Sequence, residues 1–194
     1  NSWGWMGARS ILSFLGGFLL IAVIVLRSKV HESPVVPLHL FSEKRFVLMT
    51  IIGFTSSLMF FGMWLALLSY AIDVWGFSLI KTGLLLTIMP GTMTLIAFPA
   101  GRFADSHGFR GVMVTGSLLF TIGFALTGSM IGSAPSLIVM IPAVVAAGIG
   151  MATVLGNTTA AGTQNLDSDL VGTGTAILQT SYRIGGSLGS AVVA

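Results

Sequence analysis

The segment LIVMIPAVVAAGIGMATVLG, residues 137–156, decides the fold class. It contains no charged residue, and its apolar side chains would cover nearly every side of a helix. An α-helix rises about 1.5 Å per residue, so a segment of this length spans the roughly 30 Å hydrocarbon core of a bilayer. The segment therefore predicts a transmembrane helix.

Similar apolar blocks recur along the whole chain. A β-barrel would instead show segments of about ten residues that alternate between apolar and polar side chains. The predicted fold is therefore all-α, a polytopic membrane protein with about six transmembrane helices. We predict these helices at residues 11–26, 47–70, 82–99, 112–131, 137–156 and 172–194.

The composition of the 194 residues excludes several other classes of protein. Hydrophobic residues make up 54% and charged residues 8% of the chain, whereas a soluble domain carries about 25% charged residues. A net charge of +3 provides no basic stripe for nucleic acid. Cysteine is absent, and the spacing of the three histidines fits no metal site. Since no catalytic set or nucleotide-binding loop occurs either, we predict no enzyme, no cofactor and no metal.

The distribution of lysine and arginine predicts the orientation in the membrane. Cytoplasmic loops collect these residues, and the predicted loops at residues 27–45 and 102–110 hold six of the nine. These loops and residues 158–169 should be cytoplasmic, whereas Arg9 and Lys81 should lie outside. We therefore expect a multi-pass protein of the cell (cytoplasmic) membrane, with the lipid bilayer as a partner.

Arg183 is the charged residue placed well inside a predicted span. A lone arginine at the bilayer centre costs about 2.5–3.5 kcal/mol on insertion scales. Two interpretations remain open: it anchors the helix through carbonyl groups, or it lines a water-filled cavity together with Gln179. All six acidic residues lie in loops or at span edges, so we expect no carboxylate within the membrane-spanning part of this chain.

Small residues and prolines occur inside several spans. Gly185 and Gly189 form a G-x-x-x-G step, and Gly186 lies between them; such residues let helix backbones approach closely, for static packing or for sliding. Prolines within the spans predict kinks or breaks, with Pro90-Gly91 as the most flexible point. The prolines concerned are Pro90, Pro99 and Pro142.

Trp64 lies in the middle of a predicted span. It either packs in the core or stacks on a flat ligand.

The stretch GRFADSHGFRG, residues 101–111, resembles the motif A loop of the major facilitator superfamily. The residues that match are Gly101, Asp105, Gly108 and Arg110, whereas Ser106 and Phe109 depart from the family's basic positions. The resemblance implies a cytoplasmic gating loop, to which Arg102 also belongs. We expect the Asp105 carboxylate to cap the helix that begins near Gly111.

Three further stretches resemble the fourteen-helix drug:proton antiporters, the EmrB/QacA-like group of this superfamily. They are PLHLFSEKRF (37–46), GFSLIKTGLLLTIMPG (76–91) and LVGTGTAILQTSYRIGGSLGSA (170–191). The resemblance implies part of a major-facilitator-type helical bundle, in which residues 1–46 form a peripheral transmembrane helix and cytoplasmic linker. Residues 47–194 would form an incomplete C-terminal bundle of five helices.

The same resemblance implies a function and partners. We expect the chain to be a C-terminal fragment, the eighth to thirteenth helices of a proton-coupled multidrug exporter that works by alternating access. Its partners would be the missing N-terminal half of the parent chain, a small-molecule substrate and protons. Two alternatives remain open: a major facilitator carrier for a sugar, metabolite or siderophore, and a membrane structural or channel subunit without transport.

Overall fold

The computed structural model of the chain describes residues 7–30, 36–129 and 137–193. These ranges form α-helices and contain no β-strand, which confirms the all-α prediction. A short 3₁₀ turn, Leu38–Ser42, precedes the second helix. The helices are α1 (Ala8–Val30), α2 (Lys44–Asp73), α3 (Leu79–His107), α4 (Phe109–Ser129), α5 (Leu137–Thr163) and α6 (Val171–Val193).

Five of the described helices are long and apolar enough to cross a membrane. The sixth predicted span is also helical, as α6, but it is not one of these five. Gln179, Arg183 and several small or hydroxyl-bearing residues lower the mean hydropathy of α6. The five candidate spans are Ile11–Ser28, Lys44–Asp73, Leu79–His107, Phe109–Ser129 and Met140–Thr163.

The prolines do not interrupt their helices, so of the predicted kinks or breaks, the breaks are wrong. α3 continues through Pro90 and Pro99, and α5 continues through Pro142. A proline removes one backbone donor, but membrane helices tolerate this because neighbouring helices and hydroxyl side chains satisfy the freed groups. Each of the two helices therefore acts as one continuous element.

The chain divides into two compact units, Asn1–Lys44 and Arg45–Ala194. In the first unit, α1 exposes large apolar side chains: Leu12 is 67% exposed and Phe18 is 70% exposed. A helix that exposes apolar side chains over most of its surface is suited to a lipid environment.

The second unit is a helical bundle in which α5 is the central element. α5 contacts α3, α4 and α6. Within its membrane-spanning window, 56% of α5 is buried, compared with 22% for α2 and for α3. The core comprises Phe60, Met63 and Leu67 of α2, Leu85, Leu86 and Met89 of α3, Phe120 of α4, and Met140, Val144, Ala147 and Met151 of α5.

Glycines bring the backbones of α4 and α5 into direct contact. A methyl group at Gly150 of α5 would overlap the backbone of Phe120 and the carbonyl of Gly116 on α4. A methyl group at Gly123 of α4 would lie 2.5 Å from the Ala143 carbonyl oxygen. Backbone cannot move aside as a flexible side chain can, so this packing requires glycine at both positions.

Candidate functional site

Helix α6 has two different faces. Gly185 and Gly189 are buried against α2, where a methyl group at either would overlap the carbonyl of Phe54 or of Leu58. The side chain of Arg183, by contrast, is exposed. α6 therefore packs through its glycines and leaves polar side chains uncovered.

A groove of about 400 Å³ lies along the uncovered face of α6. One wall is aromatic, because the rings of Phe61 and Tyr182 meet edge to face with their centroids 6.3 Å apart. Gly186 leaves room for this wall, since a methyl group there would lie 2.7 Å from Cδ2 of Phe61. We call this cavity the α6 groove; its lining residues are Phe61, Tyr182, Arg183, Gly186, Ser187 and Ser190.

Arg183 provides the charge of the α6 groove. Its neighbours Ser187 and Ser190 donate their hydroxyl protons to carbonyl oxygens within the helix, those of Arg183 (3.0 Å) and Gly186 (3.1 Å). Both serines therefore present acceptor oxygens to the groove. Among the carboxylates that the structure describes, none lies within ion-pair distance of Arg183.

Gln179 does not line the groove, although its pairing with Arg183 was one of the two interpretations of the sequence. Its Nε2 donates to Oγ1 of Thr159 on α5, at 3.3 Å. Ser181 Oγ donates to the Thr50 carbonyl oxygen on α2, at 3.2 Å. These two bonds connect α6 to α5 and to α2, and so they fix the position of the helix that carries the groove.

Trp64 and the Pro90-Gly91 pair also lie away from the groove lining. Trp64 is half-buried, with its ring centroid 5.5 Å from that of Phe60 in the bundle core. Gly91 is exposed, and a methyl group there would meet nothing within 4 Å. Gly91 is therefore not a helix contact.

The junction between α3 and α4 differs from the predicted loop at residues 101–111. α3 continues to His107 and α4 begins at Phe109, so a single residue, Gly108, connects them. Its φ of +88° is one that L side chains rarely adopt, and its N–H donates to the Ala104 carbonyl oxygen at 2.8 Å. The predicted loop is too long because one glycine with positive φ suffices to end α3.

Asp105 lies in the last turns of α3 and does not cap α4. Its side chain is exposed and makes no hydrogen bond or ion pair with any residue that the structure describes. Arg102, one turn earlier, lies over the Phe98 ring, 5.7 Å from its centroid. The expectation of a cap is wrong because α3 extends past Asp105, which places the carboxylate at the partially negative end of a helix.

Several residues with defined roles were not identified from the sequence. Ser187 and Ser190 follow Arg183 at helical spacings of four and seven, so a search for polar helix faces would have found them. The aromatic wall depends on how α2 packs on α6. The contact of Arg45 depends on how α2 packs on α5, because its Nε donates to the Ala161 carbonyl oxygen near the end of α5, at 2.9 Å.

The described residues contain no group of three or more histidine, cysteine, aspartate or glutamate side chains that could hold a metal ion. The groove instead offers one guanidinium, hydroxyl oxygens and two aromatic rings. This set can bind a ligand through charge, hydrogen bonds and ring contacts.

A family model described as Major Facilitator Superfamily matches residues 1–190 of the chain. Among curated proteins, the lincomycin resistance protein LmrB of Listeria innocua is 28% identical over 192 residues, covering 97% of this chain and 40% of that protein. The multidrug transporter protein MdtP of Bacillus subtilis is 26% identical, covering 97% of this chain and 34% of that protein.

A third relative is the tetracenomycin C resistance and export protein of Streptomyces glaucescens. It is 27% identical over 192 residues, which cover 99% of this chain and 36% of that protein. The chain thus spans 34–40% of the length of these three relatives.

Proposed function

Because the chain belongs to the Major Facilitator Superfamily, we propose that it forms part of a secondary transporter that exports drug-like small molecules. The match over residues 1–190 carries this proposal, and the names of the relatives, which refer to antibiotic resistance, multidrug transport and export, support it. The activity is that of a longer transporter, which contains this chain and acts in the cell membrane. The rest of that protein would be the partner of this chain.

The transport cycle that we propose is alternating access coupled to protons, as in the fourteen-helix drug:proton antiporters. In this cycle the unit Arg45–Ala194 moves as one block against the other half of the transporter. Close contacts between α4 and α5, between α2 and α6, and between Gly148 of α5 and the Met89 carbonyl of α3 support such a block, since they hold neighbouring helices together. The exposed polar face of α6 would line the substrate cavity.

Export by the full-length transporter can be tested in cells that lack their own drug exporters. Expression should increase resistance to lincomycin, and inverted membrane vesicles should accumulate lincomycin when a proton gradient is present. Adding a protonophore should abolish this accumulation, because the gradient drives the cycle. Accumulation that persists without a gradient would contradict proton coupling, and no accumulation in any condition would contradict export of lincomycin.

Neutralising Asp105 should lower transport without destabilising the bundle. The carboxylate is exposed and lies near the C-terminal end of α3, so losing its charge should change the free energy of unfolding by no more than about 0.5 kcal/mol. If it acts as a gate through contacts with the other half of the transporter, Asp105→Asn and Asp105→Ala should both reduce lincomycin accumulation about tenfold, the result of losing roughly 1.4 kcal/mol.

The matched control for this prediction is Asp73→Asn. Asp73 is also an exposed carboxylate at the C-terminal end of a helix, but it ends α2, outside residues 101–111. It should retain normal transport. Full activity in both Asp105 variants would remove the gating role.

A further inference from the structure

The geometry of the α6 groove indicates the class of ligand that it takes: we propose that it binds an anionic aromatic group of the exported molecule, such as an aromatic carboxylate. The proposal rests on the proposed export function and adds the substrate chemistry that this face selects. The juxtaposition that carries it is Arg183 beside the ring wall of Phe61 and Tyr182.

Arg183 requires an acceptor that the described part of the chain does not provide. A guanidinium stays charged at any physiological pH and carries five N–H donors in a planar fork that fits a carboxylate. None of the described carboxylates lies within ion-pair distance of Arg183. In a membrane protein such a charge is stabilised by an anion or by water in a cavity, and the side chain of Arg183 lines one.

The ring wall favours an aromatic ligand, and the guanidinium of Arg183 favours one with an acceptor group. The edge-to-face pair Phe61 and Tyr182 offers an apolar surface on which a flat ring can pack. Ser187 and Ser190 donate within their own helix, so the guanidinium is the charged donor of this lining. A cationic ligand would be repelled by Arg183. The volume of about 400 Å³ falls within the range of small-molecule pockets, roughly 300–1,000 Å³.

The test compares two probes that differ in charge and little in shape, 2-naphthoate and its neutral amide, 2-naphthamide. Their affinities for the purified full-length transporter, reconstituted in phosphatidylcholine nanodiscs, are measured by titration calorimetry. We expect 2-naphthoate to bind at least about tenfold more tightly, because hydrogen bonds to a charged group contribute more than those between neutral groups.

Variants of Arg183 identify the source of this preference. Arg183→Gln should weaken 2-naphthoate binding about tenfold to hundredfold and leave 2-naphthamide binding unchanged. Arg183→Lys should retain part of the preference, since it keeps the charge but loses the planar fork. Lys81→Gln is the control: Lys81 is exposed, lies over the Phe77 ring and is not among the groove-lining residues, so both affinities should stay at wild-type values.

Three results would overturn the proposal. Equal binding of the two probes by the wild-type protein would mean that another acid of the full-length chain already neutralises Arg183. An unchanged preference in Arg183→Gln would place the anion elsewhere. Loss of 2-naphthoate binding when phosphatidylglycerol is added to the nanodiscs would identify a lipid headgroup as the occupant. A charge preference without lincomycin export would refute export of lincomycin, which carries no anionic aromatic group, and would leave the anion site intact.

Discussion

Gly150→Ala should destabilise the bundle by about 1–3 kcal/mol, the range observed when extra groups are forced into a packed interior. The added methyl group would overlap the backbone of Phe120 and the carbonyl of Gly116, so α4 would have to move away from α5. This cost should exceed the gain in helix propensity, which is about 1 kcal/mol for replacing glycine by alanine. Thermal unfolding of the purified full-length transporter, followed by fluorescence-detected size exclusion, measures the change.

Gly156→Ala is the control within the same helix. Gly156 is exposed, and a methyl group there would meet nothing within 4 Å. This variant should be as stable as the wild type or more stable, because only the propensity changes. If the two variants unfold at the same temperature, the close approach of α4 and α5 is wrong.

Gly189→Ala should separate α6 from α2 and reduce both stability and transport. The methyl group would overlap the carbonyl of Leu58, and the expected destabilisation is again about 1–3 kcal/mol. Since α6 also carries the groove, a displaced α6 should weaken substrate binding as well. Lincomycin accumulation in vesicles measures transport, the affinity for 2-naphthoate measures binding in the groove, and the melting temperature of the purified protein measures stability.

A double-mutant cycle tests whether Gly189 acts through α2. A methyl group at Gly62 of α2 would lie 3.2 Å from the Gly189 carbonyl oxygen, so both changes push the same two helices apart. Their combined effect should be smaller than the sum of the single effects, by about 0.5 kcal/mol or more. Gly172→Ala, in an open part of α6, should leave stability and transport unchanged. Additive effects at Gly62 and Gly189 would contradict a shared contact.

Helices could be predicted from the sequence because membrane spans are long and apolar, but their ends could not. The apolar block at residues 82–99 stops where the hydrocarbon would stop, whereas α3 continues to His107 through Arg102 and Asp105. A helix can continue through polar residues at a membrane surface, so hydropathy shows where the bilayer ends and not where the helix ends. Because the predicted span ends at residue 99, Asp105 is assigned to a loop, although it lies in α3.

The sequence also does not show which glycines touch a neighbouring helix. Gly172 and Gly189 lie in the same helix, yet only the second would meet the backbone of α2. The difference depends on the direction of each residue around α6 and on where α2 lies. Arg183 illustrates the same limit: its unusual position in a span was evident, but the ring wall beside it depends on tertiary packing between α2 and α6.

The single-residue connection between α3 and α4 has a consequence for biogenesis. Gly108 alone lies between them, so we expect that neither helix moves into lipid far ahead of the other. We expect the two to enter the bilayer together as a helical hairpin, with the turn forming before either helix has left the insertion machinery. The positive φ of Gly108 would then matter during synthesis, when the turn forms, as well as in the finished transporter.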